Sequence, residues 1–186
     1  MAAFLAGCGA DEDQGGRVLA GDPIADVEAL QLALELEEGQ ESFYRAALER
    51  DVVDDEAAHD LLAHVHEQER SHAEALRVAL RQLGKRPAPP REAAVERLLE
   101  GPPAGALDAA RKLEELAEAT YLALVGKVRS EELLATLLAI HSVEARQAAA
   151  VSKAAGGDPL AGPAIPKVAA LADLRRRRNR HLAGRG

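Results

Sequence analysis

The sequence predicts an all-α protein, a bundle of four long helices with one long connection between the second and the third. Three observations carry that expectation. Ala, Leu, Glu and Arg dominate the composition, and no Val/Ile/Thr-rich run suggests a sheet. Apolar residues recur at helical spacing through four long stretches. The breaks between the stretches are unequal: short after the first and third, long and rich in Pro and Gly at both ends after the second. Short breaks make antiparallel neighbours, whereas a long one can carry the chain across a bundle.

The elements follow in order. Asp22-Pro23 supplies a capping carboxylate and then a Pro at the first helical position, and the periodic pattern runs to about Arg50. The acidic turn Asp51-Val52-Val53-Asp54-Asp55 leads into a second helix ending near Leu83, where Gly84 and then Pro87, Pro89 and Pro90 stop it. Residues 84–106 form the long connection, with a short helix expected within Arg91–Glu100. A third helix is expected from about Leu107 to Arg129. Ser130, followed by Glu131 and Glu132, caps a fourth that reaches about Ala155 before Gly156-Gly157. The chain thus divides into a leading segment 1–22, a bundle over 23–155 and a basic tail over 156–186. Pro159, Pro163, Pro166 and the Arg175–Arg178 run mark that tail as irregular.

A chain of 186 residues can bury a core without disulfides or a structural metal, so a metal here would serve function rather than folding alone. A net charge of −8 argues against nucleic acid as a partner, and the absence of Trp argues against base-stacking platforms. The single cysteine excludes an intrachain disulfide. Its context, Phe4-Leu5-Ala6-Gly7-Cys8-Gly9, resembles the end of a bacterial lipoprotein signal, although seven preceding residues are fewer than such a signal needs. If translation starts further upstream, Cys8 is a lipidation site, the acidic stretch after it is a tether, and the protein is membrane-anchored in the cell envelope, outside the cytoplasmic membrane. If the match is fortuitous, the protein is cytoplasmic.

Chemistry enters with LEEGQESFY at residues 36–44. Alternating steps of three and four pick out Val27, Leu30, Leu34, Glu37, Glu41, Tyr44 and Leu48 as the buried seam of the first helix, leaving Glu35 and Glu38 to the sides with Glu38 solvated. An ionised carboxylate in an apolar core costs several kcal/mol unless it is paired or bound to a metal. The third helix repeats the pattern: LEELAEATY at 113–121 aligns Glu37/Glu114, Glu41/Glu118 and Tyr44/Tyr121 at an offset of 77. The even helices repeat at an offset of 75, with His66-x-x-Glu69-x-x-His72 matching His141-x-x-Glu144-x-x-Gln147. The sequence therefore reads as an internal duplication of a helix pair. Residues three apart share a helix face, so Glu69 with His72 and Glu144 with Gln147 point the same way.

At these residues the chain resembles the ferritin-like superfamily, most of all bacterial ferritin-like domains of the desiccation-related type, over about residues 24–155. The resemblance implies a ferritin-like four-helix bundle with its long crossover between helices two and three. It further implies two metal ions, iron or manganese, bridged by carboxylates and capped by histidine. Glu37 then matches the first-helix ligand, Glu69 with His72 the second-helix pair, and Glu114 with Glu144 the ligands of the other half. Gln147 departs from the pattern, standing where the family has His, so its side is expected to hold metal weakly or leave a single ion. Glu41, Glu118, Tyr44, Tyr121, His66 and His141 are expected around the ligands. The implied activity is oxidation or peroxide chemistry of a non-haem metal oxidoreductase, ferroxidase included. The alternative is a metal-free bundle, lipid-tethered, for binding or stress protection.

Overall fold

The protein is described by a computed structural model over residues 26–88, 95–100, 102–162 and 167–182. Cys8 and the leading segment 1–22 lie outside the described residues. The described residues form five helices: α1 Asp26–Glu49, α2 Glu56–Gln82, α3 Pro103–Val125, α4 Glu131–Ala154 and α5 Leu171–Leu182, with a short 3₁₀ turn at Val95–Leu99. No strand occurs among the described residues, and the architecture is all-α as expected.

Local chemistry sets the helix ends. Asp55 accepts a hydrogen bond from Ala58 N at 2.8 Å to start α2, and Ser130 accepts from Leu133 N at 3.2 Å to start α4. The third helix begins at Pro103, four residues before the first periodic Leu, because Pro is pre-organised for the first helical position. The second helix closes through Gly84 at φ +68°, where Lys85 N donates back to Leu80 O at 2.9 Å. A side chain in this left-handed conformation meets its own carbonyl, so Gly84→Ala is expected to destabilise the protein by about 1–2 kcal/mol in denaturant titrations.

Cross-helix hydrogen bonds fix the directions. Tyr44, late in α1, reaches Glu114 in α3, while Tyr121, late in α3, reaches Glu37 in α1, so the two helices run antiparallel. Gln147 meets Glu69 and His72 meets Glu144, which makes α2 and α4 antiparallel by the same logic. The carboxylate of Asp26, at the start of α1, accepts from Arg129 N and Ser130 N at the α3–α4 turn. Arg86 and Ala88 hydrogen-bond to Gln31 near the start of α1, whereas α3 begins with Ala106 and Leu107 packed among Phe43 and Ala47 near its end. The α2–α3 connection therefore runs the length of the bundle, and Val95 and Leu99 plug its side.

The tail differs from its expected irregular form, since Leu171–Leu182 is helical. Leu174 is fully buried there, with Leu171 beside it, and Arg178 reaches Glu35 on α1. Three leucines among arginines, two of them near the start, give too little periodicity to show as a helix; the groove over α1 and α3 supplies the order.

Two apolar clusters make the core. One contains Leu30, Leu34, Leu76, Leu80, Leu124 and Leu137, the other Phe43, Val53, Leu62, Leu107, Leu113 and Val151. Between them, in sequence order on every helix, lies a layer of buried polar side chains.

Candidate metal centre

Each of the four bundle helices turns a carboxylate into that layer. Glu37, Glu69, Glu114 and Glu144 are all 0% exposed, and His72, Gln147 and Gln40 are buried with them. Glu69 with His72 and Glu144 with Gln147 stand three residues apart, so one helix turn presents both members inward. All six positions singled out as ligands in the sequence thus meet in one layer.

The tyrosines hold two of the carboxylates reciprocally. Tyr44 Oη donates to Glu114 Oε1 at 2.5 Å, and Tyr121 Oη donates to Glu37 Oε1. Burial first, then the facing carboxylate (Glu114 for Tyr44, Glu37 for Tyr121), pushes both phenols well above their ordinary range, keeping them protonated donors. Gln40 Nε2 adds a second bond to Glu114 Oε1 at 3.1 Å. Gln147 Nε2 donates to Glu69 Oε1 at 2.6 Å and to Gln68 Oε1 at 3.1 Å.

Free oxygens of Glu37, Glu69 and Glu144 gather around one nitrogen. His72 Nδ1 lies 3.0 Å from Glu144 Oε1, 3.3 Å from Glu37 Oε2 and 4.0 Å from Glu69 Oε2. These are charge contacts: the nitrogen is aligned as a hydrogen bond with none of them. Glu37 Oε2, Glu69 Oε2, Glu114 Oε2 and both oxygens of Glu144 are buried without a hydrogen-bond partner. Such orphaned acceptors are expensive in a closed core, and a cation among them would satisfy several at once. Glu37, Glu69, His72 and Glu144 offer ligand atoms within 4.8 Å of one another, a set of hard oxygens and one imidazole nitrogen that could hold a metal ion.

The protonation pattern reflects the same crowding. Burial, then the charge of Glu37 and Glu144, raises the Glu69 carboxyl well above its usual range. Glu144 is raised likewise, by burial and by Glu37. Burial lifts Glu114 to about 7, held down in part by the hydrogen bonds from Tyr44 and Gln40. For His72 burial alone would lower the value, but the adjacent Glu144 and Glu37 carboxylates carry it to about 10.

The flanking expectations are revised. Glu38 is buried, not solvated, because Arg77 reaches across from α2 and pairs with it at 2.8 Å. Glu41 is only half-buried, and Gln40 takes the inward place expected of it. The cause is the crossover: Phe43 and Ala47 pack with Val95 and Leu99, so the buried arc of α1 widens on the side of Gln40. Glu118 is half-buried too and lines a groove on the outer side of α3 and α4 with Arg111 and Ala145. His66 and His141 are half-buried on the neighbouring turns, His66 Nε2 and His141 Nδ1 each lacking a hydrogen-bond partner among the described residues. Gln40 and the Arg77–Glu38 pair went unmarked in the sequence; the only available signal was their position one helical turn from Glu37 or on the facing helix.

An antiparallel helical bundle with a buried Glu/His cluster able to bind a metal defines the class of protein. The chain belongs to the ferritin-like domain family, whose profile matches residues 25–157. Its structure is similar to that of a conserved hypothetical protein, rv2844, from Mycobacterium tuberculosis, with a TM-score of 0.62 and 17% identity over 69% of this chain and 96% of that one. No curated protein matches the chain.

Proposed function

We propose that this protein binds iron or manganese in its polar layer and uses the bound metal for oxidation or peroxide chemistry. The observation that carries the reading is the set of buried, unpartnered oxygens of Glu37, Glu69 and Glu144 gathered around His72 Nδ1. A bound iron or manganese ion would supply the one-electron steps that no side chain here can supply. Among the chain's own groups, Glu37, Glu69, Glu144 and His72 hold the ion, and Tyr121 and Gln147 fix the carboxylates of Glu37 and Glu69. The apolar clusters above and below exclude bulk water. The offsets of 77 and 75 residues support a duplicated helix pair as the origin of the layer.

A metal-free bundle is the second reading, favoured by the hydrogen bond that Gln147 gives to Glu69 where the family pattern has a ligand. Thermal unfolding separates the two. A ligand bound only to the native state at 100 times its Kd stabilises by about 2.7 kcal/mol, so Fe(II) under anaerobic conditions or Mn(II) should raise Tm by several degrees. Elemental analysis after desalting should find metal in the wild type and little in Glu69→Ala. An unchanged Tm together with metal-free wild-type protein would overturn the proposal.

A further inference from the structure

A carboxylate that bridges two ions offers one oxygen to each, so hydrogen bonds already made to those oxygens compete with a second ion for their lone pairs. Several outward oxygens are taken. Glu37 Oε1 accepts from Tyr121, Glu69 Oε1 from Gln147 at 2.6 Å, and Glu114 Oε1 from Tyr44 at 2.5 Å and Gln40 at 3.1 Å. Of the four inward carboxylates, Glu144 alone keeps both oxygens free. Glu114 is absent from the set whose ligand atoms lie within 4.8 Å of one another.

The two amides stand where a second ion would be needed. Gln147 follows Glu144 by three residues, as His72 follows Glu69, but its Nε2 points at Glu69 Oε1 and Gln68 Oε1. With Glu69 ionised, as metal binding requires, a nitrogen facing Glu69 Oε1 is the paired orientation, and it leaves Gln147 Oε1 without a hydrogen-bond partner among the described residues. Gln40 Nε2 faces Glu114 in the same sense. An amide NH₂ has no lone pair to give a cation, but it presents donor hydrogens to the oxygens that a second cation would otherwise neutralise.

We infer that the layer is built for one divalent cation, held by Glu37, Glu69, His72 and Glu144, and that Gln147 and Gln40 replace a second ion by hydrogen-bonding Glu69 and Glu114. The inference rests on the metal-binding reading above and narrows it to a single ion per chain. It also gives Glu114 a structural place, as the hydrogen-bonded partner of Tyr44 and Gln40, outside the ligand set.

Mn(II) titration of the metal-free full chain tests this, with bound metal read by elemental analysis after desalting and by electron paramagnetic resonance. The expected result is one Mn(II) per chain with the spectrum of an isolated ion. Two ions per chain, or a spin-coupled pair, would overturn the inference and leave metal binding intact; no retained ion would overturn both. Glu114→Gln should still retain one ion per chain, and loss of the ion would place Glu114 among the ligands and overturn the assignment. Gln147→His restores an imidazole and should move the ratio from one toward two. A ratio fixed at one would show that Gln147 is not what excludes the second ion.

Discussion

Glu144→Leu is expected to stabilise the metal-free protein and to abolish its response to metal. Glu144 is fully buried, neither of its oxygens has a hydrogen-bond partner, and burial with the nearby Glu37 raises its carboxyl well above the usual range. It contacts His72 Nδ1, which also has Glu37 at 3.3 Å, so no buried cation is stranded by the substitution. Leu is of similar size and removes a buried polar group whose acceptors are unsatisfied, a burden of about 1–3 kcal/mol. For a chain of this length each kcal/mol moves Tm by roughly 2–4 °C. The variant should therefore melt higher than the wild type without metal and show no further rise with Mn(II), because one of the four proposed ligands is gone. A lower metal-free Tm would show that Glu144 is held by contacts worth more than its desolvation cost. A surviving metal shift would remove it from the site. The trade is the one expected of a functional carboxylate, unfavourable for the empty fold and necessary for the ion.

How much of this was readable in the sequence differs by level. The helix starts at Asp55 and Ser130 and the stop at Gly84 were legible because capping is local chemistry, decided by a residue and its next few neighbours. The crossover was legible from its Pro and Gly content and its length. The helix over Leu171–Leu182 was not, since it depends on a groove assembled from α1 and α3, and Arg175–Arg178 carries no apolar stripe. The inward carboxylates are legible because the motif of each helix recurs in a second one, at offsets of 77 and 75, a signal that survives uncertainty in either helix alone. Gln40 and Glu38 escaped for one reason. A heptad seam treats a helix as buried along a narrow stripe, while α1 is covered by α2, by α3 and by the crossover. Under so wide a cover Gln40 turns inward to Glu114, and Glu38 is enclosed by Arg77. The hydrogen bond from Gln147 was also beyond sequence reasoning: the residue type marked a weak ligand, whereas only the fold brings Glu69 and Gln68 to its nitrogen.

The second large effect is on pH. Glu114 is lifted to about 7 and Glu69 and Glu144 well above the usual carboxylate range, in each case with burial as the leading cause. A carboxyl whose folded value exceeds its unfolded one stabilises the fold fully below the unfolded value, and that contribution is lost as pH rises through the folded value. For Glu114 the loss falls between about 4.5 and about 7. His72 has the same sign: its contribution is complete below 6.5 and lost as pH climbs toward about 10. All four groups therefore make the metal-free protein less stable with increasing alkalinity, opposite to the acid lability of proteins whose carboxylates are salt-bridged. Metal works against this trend. Ligation needs ionised carboxylates and a neutral imidazole, so every proton that the crowded layer retains must leave first, and affinity increases with pH. The Tm of metal-free protein should fall from pH 5 to pH 9, while the increment produced by saturating Mn(II) should widen across the range below the onset of metal hydroxide precipitation. Parallel melting curves with and without Mn(II), at fixed ionic strength, read both slopes. A metal-free Tm that rose with pH would show that the buried carboxylates are satisfied as anions by the fold itself, and an increment independent of pH would show that the ion binds away from His72 and its three glutamates.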